Sequence, residues 1–394
     1  MKIVVLGGAG KVALGAIQDF VENDSVESVL LADINVDALE KRKASLGAEK
    51  VSCQQVDLHD HHALVRLLDD YDACLNGSSH HFNLQVMKAC LESRTHYTDF
   101  GGLFHWARQQ LKMHDQFEQA GITGIVGSGS APGIVNVMAR YAYDNLDTVE
   151  SVEIRDGIVN FNAGEYDFVP PYAIETLLDE FIMNPYEFRD GEFVEVAPFS
   201  GGEVIDFPQP IGRQTVINTI HSEVATIPLS FKDKGIQKVT FKLALPKMFE
   251  EKLKFLVNIG VGGSEAINVR GTQIVPRQVL AALIQQNAQV AAAGGPVKHD
   301  DHKALRVEVI GTKEGQDGKY VIDCVLSPYE NWPHMSQGVF SVGFPAAVTT
   351  RLLGGGEITK KGFFPSEAVI PPQLYFNELS KRGINVYANF IKQI

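Results

Sequence analysis

Lys2-Ile-Val-Val-Leu6-Gly7-Gly8-Ala9-Gly10-Lys11-Val12-Ala13 is the stretch on which the fold turns. Lys2 to Leu6 is a short β-branched run and reads as a buried strand. A glycine turn follows at once, then a helix-period segment with apolar Val12, Leu14, Ile17, Phe20 and Val21. Ser28 to Ala32 reads as a second buried strand, closed by Asp33. Strand, glycine turn, helix, strand and acid is the dinucleotide fingerprint, with Gly8, Gly10 and Ala13 at its small positions. Gly8 allows the turn, Gly10 lets the backbone approach a pyrophosphate, and Ala13 lets the helix pack on the strand. The helix start at Lys11 and Val12 offers unpaired N–H groups to phosphate. Asp33 stands 23 residues after Gly10, where an acid would bind the ribose 2′-OH. Its carboxylate would repel a 2′-phosphate, so NAD is expected over NADP.

Alternation continues outward from there. Helices are expected over Val36–Ser45, His61–Leu68, His81–Glu92 and Trp106–Gln119, with strands at Lys50–Gln54, Asp72–Asn76, His96–Asp99 and Thr123–Val126. Strands separated by helices mean βαβ units and a doubly wound parallel sheet. Ligands bind beyond the carboxyl ends of such strands, which directs attention to Asp33, Asp57, Asn76, Ser78, Asp99 and the 127–133 loop.

The pattern changes near residue 150. Val149–Ile154, Val216–Ile220, Val239–Leu245, Leu305–Ile310 and Tyr320–Leu326 read as strands without regular intervening helices. Lys313–Gly318 reads as a turn between the last two. An α/β chain is therefore expected: a dinucleotide-binding domain over 1–148, then an α+β domain over 149–338 with a mixed, largely antiparallel sheet. The segment 339–394, with a small-residue helix over Ser341–Leu353, should return to the first domain.

Composition bounds the function. A formal charge of −13 argues against nucleic acid and anionic membrane surfaces as partners. The four cysteines form no CxxC pair, so buried free thiols are expected. No apolar run suits a membrane span or a signal peptide, and a cytoplasmic location is expected.

Three stretches can carry chemistry. In His96-Tyr-Thr-Asp99-Phe-Gly101-Gly102, the glycines permit close backbone approach to a ligand and Asp99 can hold an amine or cap the next helix. Ser130-Ala-Pro132-Gly133 sets a sharp turn that faces the nicotinamide or simply starts a helix. In Ile220-His221-Ser222-Glu223, read as strand, His221 and Glu223 share one face. The histidine can accept a proton near neutral pH, and the carboxylate can bind an ammonium or orient the imidazole. A hydrogen-bonded interface histidine is the plainer alternative. His59–His62 and His299–His302 resemble metal clusters, but neither has a distant third ligand, so both read as solvated segments and no metal is expected.

The whole chain resembles the saccharopine dehydrogenase family, which includes lysine 6-dehydrogenases and carboxynorspermidine dehydrogenases. The resemblance rests on Gly8-Ala-Gly10, Tyr97–Gly102, Ala120–Val126, Ala131-Pro-Gly133, His221–Pro228 and Glu357–Gly362. It implies pyridine-nucleotide redox at a C–N bond of an amino acid or polyamine, and homodimerisation through the second domain. The Asp99-Phe-Gly-Gly and Ala-Pro-Gly segments look closest to lysine 6-dehydrogenases, an alternative within the family. A rival of another class is a non-catalytic NAD-binding regulatory protein on the same fold.

Overall fold

The computed structural model describes residues 1–101, 103–164, 167–292, 298–332 and 335–392; Gly102, expected at the substrate site, lies outside them. The first sheet contains β1 (Lys2–Leu6), β2 (Ser28–Asp33), β3 (Val51–Gln55), β4 (Ala73–Asn76), β5 (His96–Asp99) and β6 (Thr123–Val126). All pair in parallel, and the chain order reverses at β1, which lies between β2 and β4. The crevice at that reversal is where doubly wound sheets bind ligands. Helices cover both faces, which is why β1, β2 and β4 are apolar nearly throughout.

One expected helix is broken. Trp106–Gln119 divides into Phe104–Leu111 and His114–Gln119. At Met113 the backbone leaves helical ψ (φ −90°, ψ 6°) and the side chain is buried in the core.

The second sheet is built from β7 (Thr148–Asn160), β8 (Tyr186–Arg189), β9 (Glu192–Glu195), β10 (Glu203–Asp206), β11 (Arg213–Asn218) and β12 (Lys238–Ala244), then, past a small hairpin of β13 (Ile267–Val269) and β14 (Thr272–Ile274), β15 (Asp301–Lys313) and β16 (Gln316–Leu326). It is mixed: β12 runs parallel to β7, whereas β15 and β16 are antiparallel to their neighbours. The β15–β16 turn is tighter than the Lys313–Gly318 stretch expected. Lys313 pairs with Gln316, leaving only Glu314 and Gly315, both at positive φ, as the loop of a type I′ hairpin.

Helices expected in this domain over Ile174–Phe181 and Pro276–Gln285 are present as Ile174–Ile182 and Pro276–Ala292. Two more were not expected: Glu223–Ser230 and Lys247–Asn258 are helical. Of these two, the first carries Val224, Thr226 and Ile227, β-branched residues that locally favour strand, and an internal Pro228, which disfavours a helix interior. Its residues 223–228 are all buried, and packing overrides propensity.

The last segment divides between the sheets rather than returning wholly to the first. The helix Gln337–Gly354 lies against the helix Ala13–Glu22, where Gly15 and Gly343 allow backbone contact. Buried Asp19 receives Arg351 at 2.8 Å and also Arg382. The strand β17 (Gly362–Pro365) extends the first sheet beside β6, whereas β18 (Val386–Lys392) joins β16 in the second.

Candidate active site

The glycine turn fits a dinucleotide. A Cβ on Gly10 would stand 2.9 Å from the Gly7 carbonyl oxygen, so any side chain there fills the cradle. The helix begins at Ala13 behind Val12, and Leu14 and Gly15 donate back to Lys11 and Val12. The N–H groups ahead of Leu14 are thus the unpaired donors of the helix end. Asp33 closes β2 with Oδ2 accepting from Ala9 N–H at 3.2 Å and Oδ1 from Asn35 N–H at 3.0 Å. Sequence reasoning missed Arg42. Its Nη2 donates to the Ala9 and Gly10 carbonyls at 3.1 and 3.3 Å, while Nη1 is buried without a partner beside the turn. Burial lowers its pKa. An orphaned guanidinium nitrogen at a phosphate turn suits a pyridine dinucleotide held by Gly8, Gly10 and Asp33.

The other strand-end residues divide by role. Asn76 Oδ1 accepts from both the N–H and the hydroxyl of Ser78 (3.2 and 2.6 Å), which sets the loop beyond β4. Asp57 is exposed at the end of β3; it accepts from His59 N–H and ring, bonds that hold its carboxyl below the usual range. Asp99 has no acceptor position left for an amine. It is buried, with Oδ2 taking Tyr97 and Gln110 at 2.8 and 2.7 Å and Oδ1 taking Gly101 and Gly127 N–H at 2.9 and 2.8 Å. Burial raises its pKa against the pull of those bonds. It clamps the loops after β5 and β6 together. Gly101 serves that same clamp: at φ +114° it packs on Pro132, where a Cβ would collide. Gly133 sits at φ +130° against Gly129. These glycines are needed for loop-on-loop contact, not only for a ligand's approach.

The chemistry gathers where the 127–133 loop meets the second sheet. Lys303 of β15 pairs with Asp156 of β7 at 2.9 Å and reaches Ser130 Oγ at 3.3 Å. His221 gives Nδ1 to Glu223 at 2.8 Å, has Glu180 3.6 Å from Nε2, and stacks on Phe241 with ring centres 3.7 Å apart. Tyr172 hydrogen-bonds Glu180. Burial by itself would lower the His221 pKa, but Glu223 and Glu180 outweigh it and hold it at about 10. His221 is therefore an imidazolium at neutral pH, a donor and not the neutral acceptor expected. It does meet Glu223, but not as residues of a strand. Glu223 opens the helix Glu223–Ser230 and His221 lies one residue before the bend at Ser222 that leads into it, and a carboxylate in a first turn suits the helix dipole. Two buried carboxylate oxygens, Asp156 Oδ1 and Glu223 Oε1, have no hydrogen-bond partner. Asp156 has its pKa raised by burial, with Lys303 opposing.

Asp156, Lys303, Glu180 and Tyr172 were absent from the sequence reading. The signal was present: Asp156 falls in register with buried Val152, Ile154 and Ile158, and Lys303 with Leu305, Val307 and Val309. A charge in the apolar register of a strand must meet a partner.

The histidine clusters behave differently from each other. His59 is exposed with Asp57, and His61 pairs with Glu92 at 2.8 Å. Of the second, Asp301 is not solvated as expected: it opens β15 and is buried. Among the described residues His80, His81 and Asp179 bring possible ligand atoms within 4.8 Å of one another, but Asp179 is already held by Arg277 at 2.8 Å.

A dinucleotide turn in the first sheet and a buried acid–base cluster on the second are the parts that a pyridine-nucleotide oxidoreductase requires. Residues 3–125 match the family model of the saccharopine dehydrogenase NADP binding domain, and residues 129–384 that of the saccharopine dehydrogenase C-terminal domain. The chain belongs to the saccharopine dehydrogenase family. It is 25% identical to a carboxyaminopropylagmatine dehydrogenase of Synechocystis sp., over 97% of this chain and 95% of the relative. It is also 25% identical to a carboxynorspermidine synthase of Vibrio alginolyticus, over 94% and 93%. The fold matches saccharopine dehydrogenase (L-Glu forming) of Saccharomyces cerevisiae with a TM-score of 0.74, 16% identity and 99% of both chains covered.

Proposed function

We propose that this protein forms or breaks a C–N bond of an amine by NAD(P)-dependent redox chemistry, on a polyamine-like substrate carrying a carboxylate. The observation that carries this reading is the buried Asp156–Lys303–His221–Glu223 cluster with its two unpartnered carboxylate oxygens. Such oxygens are acceptors for amine N–H groups. Relatives named as a dehydrogenase and as a synthase of carboxylated amines support one reaction read in two directions. Lysine, the alternative from resemblance, is kept as a competitor in the test.

In the reductive direction an amine condenses with a carbonyl compound, water leaves, and the imine nitrogen must be protonated as its carbon gains hydride. His221, charged at neutral pH, supplies that proton. Glu223 orients the imidazole, and Asp156 and Lys303 position the reacting nitrogen under Ser130. In the oxidative direction the ammonium first gives up a proton, the C–H carbon loses hydride, and water hydrolyses the imine. A proton acceptor is then required, so oxidation should speed up as pH rises toward 10. NAD(P), when bound, takes up or supplies the hydride. Asp33 favours NAD, whereas Arg42 Nη1 offers a donor to a 2′-phosphate.

Reduced nicotinamide consumption, followed with agmatine, diamines, lysine and ornithine each paired with a carboxylated aldehyde, tests the reading. Tight dinucleotide binding without turnover on any pair would favour the regulatory rival. Exposed Phe255, Ile259, Ile267 and Leu283 suit burial against a second copy of the chain, and we keep a homodimer as the expected assembly.

A further inference from the structure

A cavity of about 290 Å³ opens beside the glycine turn, with Lys11 and Lys247 exposed at its mouth. Its floor includes Ile158 and Asn160 of β7, Asp301 of β15, and Gln337 at the start of the long C-terminal helix. Asp301 pairs with Asn160 across the ladder, Lys303 with Ile158, and Leu305 with Asp156. Side chains two apart on a strand share a face, and directly opposed residues share it too. Asp301, Lys303 and Asp156 therefore share one face of the sheet, with the acid–base cluster on that face beyond the residues that line the cavity.

Two acceptor atoms in that floor take no hydrogen bond among the described residues. Asp301 Oδ1 and Gln337 Oε1 lack hydrogen-bond partners, and their residues are 8% and 1% exposed. Asp301 is held by its other oxygen, which takes the Gln337 backbone N–H at 3.1 Å. His299 Nδ1 stands 3.7 Å from Oδ1, an ion pair when the imidazole is charged, but too long for a hydrogen bond. A buried acceptor without a donor is unfavourable, and two in one cavity match a group that offers several N–H donors and a positive charge.

We propose that Asp301 and Gln337 form a distal subsite for the second cationic group of the substrate, an ammonium or guanidinium. The proposal rests on the amine-oxidoreductase reading and narrows it. Asp301 is four residues from Leu305, the residue opposite Asp156, a separation of about 14 Å at ~3.4 Å per residue. An extended chain covers about 3.3–3.6 Å in three bonds, so the two nitrogens stand on the order of twelve bonds apart. Lysine and the short diamines, with about six bonds or fewer between their nitrogens, cannot occupy both places at once, and spermidine, with about nine, falls short. A longer polyamine such as spermine, with about thirteen, reaches.

The test is calorimetric binding of spermine and of n-butylamine to the full chain saturated with oxidised dinucleotide, in wild type and in D301N. The substituted amide keeps an oxygen for the Gln337 N–H but loses the charge. Wild type should bind spermine at least about tenfold more tightly than n-butylamine, the span of one charge-assisted hydrogen bond. D301N should lose that preference, with dinucleotide and n-butylamine affinities unchanged. Gln337→Leu, which leaves the backbone tie to Asp301 in place, should lower the preference likewise and serves if D301N does not fold. Unchanged spermine affinity in the folded variants overturns the subsite. So does a loss confined to dinucleotide affinity, which would assign the floor to the nicotinamide carboxamide. Turnover of the amine panel by wild type separates the two ideas: turnover with unaltered discrimination in D301N removes the subsite alone, whereas no turnover with any amine removes both.

Discussion

Glu223→Gln should move the proton of His221. Burial pushes the imidazole pKa down, yet Glu223 at 2.8 Å and Glu180 at 3.6 Å hold it at about 10, against an ordinary 6.5. That rise is worth on the order of 5 kcal/mol in favour of the charged form. The folded pKa lies above the unfolded one, so this stabilisation is complete below about pH 6.5 and is lost as pH climbs through 10. The substituted amide keeps the volume and an acceptor for Nδ1, so the perturbation is one negative charge. A charge this close is worth about 1–3 pH units, so the midpoint should fall to roughly 7–9. Stability should then begin to decline at correspondingly lower pH. The imidazole Cε1–H resonance, followed by NMR against pH and assigned with a His221→Gln variant, reads this without a substrate. With an active amine pair, the alkaline limb of the reductive rate profile should shift by the same amount. A wild-type His221 that titrates near 6.5, or a midpoint unmoved by Glu223→Gln, would refute the electrostatic argument and with it the role of His221 as acid.

Lys303→Met keeps the apolar stem but strips Asp156 of its partner; kcat should fall at least about 100-fold with dinucleotide affinity nearly unchanged, and retained turnover would make the pair purely structural. Asp33→Ala should weaken NAD binding and relax discrimination against NADP, read as the ratio of dissociation constants; an unaltered ratio removes Asp33 from the ribose site. Gly10→Val places a branched side chain where a Cβ already meets the Gly7 carbonyl at 2.9 Å, so dinucleotide binding should be lost while circular dichroism is kept. Asp99→Asn turns an amide donor toward the N–H and hydroxyl donors that hold the clamp. It should cost about 1–3 kcal/mol of stability and leave the amine KM of the folded fraction unchanged, and a raised KM would restore Asp99 as a substrate residue.

Much of the first domain was legible because its signals are local. A β-branched run, a glycine turn and a periodic helix lie within a few residues of one another, and the parallel sheet follows from repeating that unit. The second domain was harder to read. The helix at Glu223 hides behind β-branched residues and Pro228, and the strands β17 and β18 are short segments at opposite edges, recognisable only by what they pair with. Asp99 looked like a ligand residue because a carboxylate at a strand end so often is one. Only the positions of Tyr97, Gln110 and the 127 amide show its lone pairs to be taken.

His221 and Glu223 could be paired from spacing, even with the wrong local structure assumed, since two residues apart is close on a strand and also across a helix start. The proton on His221 could not be assigned that way. Glu180 lies 41 positions away, and an imidazole between two buried carboxylates titrates unlike one beside a single carboxylate. The same holds for Lys303 and Asp156, 147 residues apart yet diagonal neighbours on one sheet face. The sequence alone determined the dinucleotide turn and its acid, because backbone sterics and helix-end donors act over a few residues. Which charges share a low-dielectric interior, and therefore which proton moves, was decided by the β7–β15 register, because Coulomb energy depends on distance through space and burial, and neither is a property of chain order.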